Sequence, residues 1–303
     1  MVKIARPGTG TKGPALGAAV DAFLDTLDNP GTARNYAGTL RALAGHLGMD
    51  VPVAGLAGAE VERWFADRWG MRAAATWNRN LDALRSAGRY WTGQGWLDAD
   101  PSRGLRRRHR PPDRTRALSR ADVERLLARE DVALRDKTLW RMLYETAARI
   151  SELLSLDVED LNLRTHQARV RRKGGAADII VWQAGTARLL PRLLQGRRTG
   201  PVFLTERRAR VPLPAADLDP ATGRARLSYR RAAEVFGQAS GGATLHQMRH
   251  SALTHAAEDG ASTATLLAYS GHTSVTSLAR YARVSPEAFA RWQQGRDRAR
   301  RRR

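Results

Sequence analysis

Apolar residues recur at helical spacing through most of the chain. Val20, Phe23, Leu24 and Leu27 fall at i, i+3, i+4 and i+7, the stripe of an amphipathic helix. Asn29-Pro30-Gly31 breaks it, and Thr32 is the expected cap of a second helix with Tyr36, Leu40, Leu43, Ala44 and Leu47 on its apolar face. Two more helices are predicted over 58–68 and 72–93. Trp64, Trp69, Trp77, Trp91 and Trp96 fall in this half; at such spacing they read mostly as core, not as stacking platforms for bases. A second series starts at Ser119, a good N-cap for a helix through Leu127, and continues through 134–153 in two segments. There the period drops to two. QARVRR and ADIIVWQ read as short strands, with Gly174-Gly175 as the tight turn between them. Beyond lie a helix from Thr186, a brief strand PVFL at 201–204, and helical candidates at 228–239, 246–258, 262–269 and 274–281. The expected fold is mainly α with a small β-sheet.

Length and charge turn this series into a two-domain plan. The chain has 303 residues, 42% of them hydrophobic, enough for packed cores and more than one domain. The segments read as a flexible tail (1–13), a helical domain (14–102), a basic linker (103–118), a mixed α/β domain (119–285) and a basic C-terminal extension (286–303). There is no Cys, which excludes disulfides, thiolate zinc and a cysteine nucleophile. No apolar run approaches the ~18 residues that span a bilayer, and the first residues lack a secretory apolar region, so a cytoplasmic protein without membrane contact is expected. The net charge of +21 favours a polyanionic partner, nucleic acid first. Within the linker, residues 103–116 hold seven Arg against one Asp; Arg106, Arg107, Arg108, Arg110, Arg114 and Arg116 are candidate contacts to a phosphate backbone. Of 51 cations only Lys3, Lys12, Lys137 and Lys173 are lysines. Each matters, because Lys can give up a proton and Arg cannot.

No GxxxxGK[ST] loop, HExxH helix or acidic two-metal cluster is present, so nucleotide- and metal-driven chemistry lose weight. What remains is a set of cations on separate elements. Arg149 and Glu152 stand at i, i+3 in TAARISEL, on one helical face, a spacing that usually means a surface ion pair. Lys173 sits at the hairpin tip, where solubility alone would explain it. His246, Arg249 and His250 share a face in LHQMRHSALTH, and three cationic-capable groups repel unless an anion joins them. Gly271-His272 opens a helix, and Tyr281 follows nine residues after His272; alone, Tyr281 would be a packing residue.

The order Arg…Lys…His-x-x-Arg…Gly-His…Tyr over residues 119–285 resembles the tyrosine recombinase (phage integrase) family. TAARISEL looks like its first box, RRKGG like its hairpin lysine segment, and the run from Leu245 to Tyr281 like its second box. The chain departs from the family pattern at Ala147, often Gly, and at Ser270, often Leu. The resemblance implies a two-domain DNA clamp, with 14–102 as core-binding domain and 119–285 as catalytic domain. It implies Tyr281 as nucleophile, forming a 3′-phosphotyrosyl bond; Arg149, Arg249, His246 and His272 on the phosphate; and Lys173 as proton donor to the 5′ oxygen. Glu152 and His250 support them. No metal, ATP or other cofactor is implied. The partners are double-stranded DNA and further copies of the chain, a tetramer on two recombination sites, with the C-terminal extension on a neighbour or loosely on DNA. With only ~13 residues ahead of the first helix, no arm-binding domain is expected. Three rivals stay open: topoisomerase-like relaxation, a non-catalytic regulator derived from a recombinase, and a general basic nucleic-acid binder.

Overall fold

The computed structural model describes residues 13–109, 117–172, 175–272 and 274–278, and positions 290, 293 and 294. The chain divides between Pro112 and Asp113 into two compact units.

Among its described residues the first unit has four α-helices, α1 (Leu16–Asp25), α2 (Pro30–Leu47), α3 (Gly58–Trp69) and α4 (Ala74–Gly93). Asn29, not Thr32, caps α2: its Oδ1 accepts from the backbone N–H of Gly31 at 2.9 Å and of Thr32 at 3.0 Å. Pro30 then takes the first helical position, where no donor is needed. The residues that read as a breaker therefore start the helix. Trp64, Trp69, Trp77 and Trp91 are buried in one core with Phe23, Leu40, Phe65 and Leu84, and Trp96 packs against it half-buried. The core reading of these aromatics holds. Trp91 Nε1 donates to the Ala19 carbonyl at 3.0 Å, so its one polar atom is satisfied inside.

The second unit is mixed. Its elements are α5 (Arg120–Ala128), α6 (Leu134–Thr146), α7 (Ile150–Leu154), β1 (Leu161–Asn162), β2 (Gln167–Arg171), β3 (Ala177–Val181), α8 (Ala184–Leu194), β4 (Leu204–Arg208), β5 (Arg224–Arg226), α9 (Tyr229–Ala239), α10 (Leu245–Glu258) and α11 (Thr263–Ser270), with a final 3-10 turn at Val275–Leu278. One sheet is antiparallel in the order β1-β2-β3; the other pairs β4 with β5. Ser119 caps α5 as expected, accepting from Asp122 N–H at 3.1 Å. Trp140 of α6 is fully buried, edge-on to Phe236 of α9 with centroids 5.3 Å apart. Each such side chain contributes roughly 1.5–3 kcal/mol by leaving water.

Two expectations about the elements shift. Of PVFL, only Leu204 belongs to a strand, and Pro201 forms an isolated bridge with Asp157. Val202 and Phe203 are fully buried core residues, and the strand is the polar run from Leu204 paired with β5. The apolar run fills the core, and the ladder forms one step later. Thr186 does not begin α8, which starts at Ala184; the buried Glu145 of α6 accepts from Gln183 N–H at 3.0 Å and Thr186 N–H at 3.1 Å. A carboxylate distant in sequence caps that helix N-terminus, and its charge suits the dipole there.

α10 carries a titratable packing residue. His255 Nδ1 lies 2.8 Å from the Tyr144 hydroxyl, and burial followed by the nearby Arg120 charge pushes its pKa below the ordinary imidazole value. The unfolded chain therefore binds more protons at His255 than the folded one. The stability this contributes is complete above the unfolded value of ~6.5 and is lost as pH falls through the lower folded value. The melting temperature is expected to drop between about pH 7.5 and 5.5, and to drop less in His255→Gln. Equal drops in scanning fluorimetry would remove His255 from the account.

Candidate active site

The site is built around the end of α6. Ala147 leaves the helix in the left-handed region at φ 47°. An L-residue pays roughly 1–2 kcal/mol there, a cost that Gly would not meet. The turn sets Arg149 as the N-cap of α7 with an extended backbone. Arg149 and Glu152 are therefore not two residues on one helical face, as their spacing implied: Arg149 precedes the helix and Glu152 is its third residue. Glu152 Oε2 accepts from Arg149 backbone N–H, and Oε1 accepts from Arg149 Nη1, both at 2.8 Å. Nor is the pair a surface one, since the Glu152 side chain is 4% exposed while that of Arg149 is 32% exposed. The acid is fixed inside, and the guanidinium reaches outward from it.

Arg249 on α10 comes to the same turn. It is buried, with Nη1 donating to the Ala147 carbonyl and Nη2 to the Ser270 carbonyl at 2.8 Å. Arg249 Nη2 is also 3.5 Å from His272 Nε2. The left-handed bend at Ala147 thus presents its carbonyl to one arginine two residues before the other begins. Ser270 is fully buried; its hydroxyl donates to the Leu267 carbonyl at 3.2 Å and accepts from His272 N–H at 3.2 Å. Gly271 has φ +60° and closes α11. Gly271-His272 therefore ends a helix instead of opening one, and the 3-10 turn follows. The Tyr269 hydroxyl lies 2.9 and 3.0 Å from the carbonyls of Tyr144 and Glu145, tying α11 to the last turn of α6. Burial pushes its pKa far up.

The other predicted residues are distributed unevenly. His246 is exposed in the first turn of α10, while His250 is buried with Nδ1 3.2 Å from Thr254 Oγ1. The trio shares a helix but not an environment. Lys173 and Tyr281 lie outside the described residues, as do Arg110, Arg114 and Arg116, residues 1–12 of the tail and most of 286–303. Arg106, Arg107 and Arg108 belong to the first unit and pack along α4. Trp77 Nε1 donates to the Arg106 carbonyl at 2.9 Å, Arg107 pairs with Asp82, and Arg108 stacks 3.8 Å over the Trp77 ring. Asn78 bonds both backbone groups of Arg108, at 2.8 and 2.9 Å. The first part of the basic segment is thus held on a helix, not strung as a spacer. Among the described residues no group of three His, Asp or Glu is placed to hold a metal ion, and no helix is long and apolar enough to cross a membrane.

One residue of the site was missed in the sequence. Arg172 directly precedes Lys173, and its side chain is only 8% exposed. Its Nη1 donates to Glu152 Oε2 at 2.7 Å and its Nε to Asp178 Oδ2 at 2.8 Å. Burial alone would raise the Asp178 pKa; the bonds from Arg172 and from Ile179 N–H outweigh it and hold the carboxyl below its ordinary value. The available signal was an acid six residues on, across a short hairpin from an arginine at the strand end.

A helical unit followed by a mixed helical and stranded unit is a fold shared with solved integrase structures. The lambda integrase dimer bound to a COC′ core site matches 88% of this chain and 95% of its own at a TM-score of 0.66 and 17% identity. The Tn1549 transposon integrase, in complex with circular intermediate DNA, matches 93% and 99% at a TM-score of 0.63 and 17% identity. The phage integrase family profile matches residues 116–288. Tyrosine recombinase XerD of Mycobacterium leprae (strain TN) is 31% identical over 234 residues, 70% of each chain. Tyrosine recombinase XerC of the same strain is 30% identical over 270 residues, 84% of this chain and 88% of its own. The chain belongs to the phage integrase family, and its activity is that of a tyrosine-type site-specific recombinase.

Proposed function

We propose that this chain cuts and rejoins double-stranded DNA through a covalent bond to Tyr281, with no metal ion and no nucleotide. The observation that carries the reading is the convergence of Arg149 and Arg249, from different helices, on the Ala147 turn beside His272. A phosphodiester resists attack because it is negative, and the transition state at phosphorus is more so. Two guanidiniums held at one turn supply the compensating charge, each through N–H groups suited to non-bridging phosphate oxygens.

In cleavage the Tyr281 oxygen forms a bond to phosphorus and the bond to the 5′ oxygen breaks. The phenol proton leaves with help from His246, and Lys173 protonates the departing 5′ oxygen. The result is a 3′-phosphotyrosyl bond and a free 5′-hydroxyl. Reversal by another 5′-hydroxyl reseals the strand, and the covalent bond conserves the energy so that no ATP is consumed. His272 donates to the phosphate, and Glu152 holds Arg149 in place. Tyr144 and Tyr269 are poor alternative nucleophiles, because their hydroxyls are bonded inside and burial raises both pKa values. Duplex DNA as substrate is supported by the net charge of +21 and by the DNA-bound integrases of the same fold. Exchange between two duplexes requires four active sites, so the working form is a tetramer on two sites, acting in the cytoplasm. Arg110, Arg114 and Arg116 contact the backbone with the other linker arginines.

The test is covalent capture. Nicked duplexes from a randomised pool, incubated with the full chain and a chelator, should yield protein–DNA adducts with the protein joined through phosphate to the 3′ end at the cut and a free 5′-hydroxyl on the other fragment. Adducts that need added divalent metal or ATP, or an absence of adducts from any pool, would defeat this reading.

A further inference from the structure

Arg172 touches three parts of the site at once. Its bonds to Glu152 and Asp178 tie the first box to the far strand of the hairpin. Its guanidinium also packs close against Gly271: a Cβ there would clash with Cζ and Nε and stand 2.7 Å from Nη2. Gly271 is thus required by contact as well as by its positive φ. Arg172 also closes the hairpin turn with its own backbone. Its N–H donates to the Ala176 carbonyl at 2.8 Å, and its carbonyl accepts from Gly175 N–H at 3.0 Å. The chain between Arg172 and Ala176 is Lys173, Gly174 and Gly175. The neighbouring Arg169 and Arg171 are exposed, so an arginine turned inward at 172 is not explained by solubility. Its Nη2 is buried with no acceptor among the described residues, a cost that packing alone would not justify.

We propose that Arg172 is a positioning residue for the proton donor, fixing the base of the turn that carries Lys173 against Glu152, Asp178 and Gly271. This rests on the reading of Lys173 as donor to the 5′ oxygen. Glu152 then serves two cations, holding Arg149 for the phosphate through one oxygen and Arg172 for the hairpin through the other.

The leaving group separates this role from simple structural support. A 5′ oxygen needs a proton on departure; a 5′ sulfur in the bridging position leaves as thiolate, because thiols ionise near pH ~8.5. On a duplex the wild-type chain cleaves, Arg172→Met is expected to cut the oxygen-bridged strand about 30-fold more slowly and the sulfur-bridged strand within about threefold of wild type. Asp178→Asn, which loosens one contact at a partly exposed position, reads the same ratio should Arg172→Met fail to fold; its oxygen-specific loss is expected to be about fivefold. Equal losses on both substrates would overturn the proposal, since they mean that Arg172 acts on the phosphate, through Arg149 or on folding. Undiminished cleavage of both would overturn it as well. A wild-type chain that forms no adduct would instead defeat the functional reading beneath it.

Discussion

Tyr281→Phe is expected to bind duplex DNA within about twofold of wild type and to form no covalent adduct, a loss of at least ~10⁴-fold in cleavage. Phe keeps the ring and removes the oxygen that we propose bonds phosphorus. Nothing else in the described site can take its place. Tyr269 is committed to the carbonyls at the end of α6, and Tyr144 to His255. Burial holds both as phenols, whereas a nucleophile with a reference pKa of ~10 needs surrounding cations to favour its phenolate. Binding should persist because phosphate contacts by many arginines, spread over a chain of charge +21, dominate affinity. Gel-shift titration and denaturing-gel capture on a nicked substrate measure the two quantities separately. An adduct that survives in the variant would assign the nucleophile elsewhere.

Arg149→Lys is expected to lower the rate of adduct formation by about 10²–10³-fold with little change in DNA affinity. The charge is conserved, so a point-charge account forecasts a small effect. The geometry forecasts a large one. Arg149 gives Nη1 to Glu152 Oε1 at 2.8 Å, and 32% of its side chain still faces out. A guanidinium can hold the carboxylate on one edge and offer the other to a phosphate; an ammonium has no second edge in the same plane. Lysine would satisfy either Glu152 or the DNA. Single-turnover rates at saturating enzyme isolate this step, and a variant within about threefold of wild type would remove Arg149 from charge stabilisation.

Much of the architecture was readable because it is local. Helical periodicity located α1 through α6 to within a few residues, and the change of period at Gln167 marked the hairpin. The ordered motifs around Arg149, Arg249 and His272 pointed to one family, and the profile match over 116–288 agrees. Local pattern failed where the deciding partner was distant. Glu145 caps α8 from 38 residues away, which no inspection of the Thr186 region could reveal. Val202 and Phe203 looked like a strand because burial and β-structure leave the same apolar signature. Gly271 looked like a helix start because Gly serves at either end; only its φ of +60° makes it a C-cap.

The cations show the same division. Their identity, number and order along the chain were set by sequence, and with them the kind of chemistry available. Which of them go inside was not. Arg172 reaches across 20 residues to the Glu152 that also holds Arg149, and Arg249 reaches Ala147 across 102. Adjacent Arg171 is exposed, while the Arg172 side chain is only 8% exposed. A guanidinium leaves water only where acceptors from several elements are already in place to replace it, and that condition belongs to the packed fold.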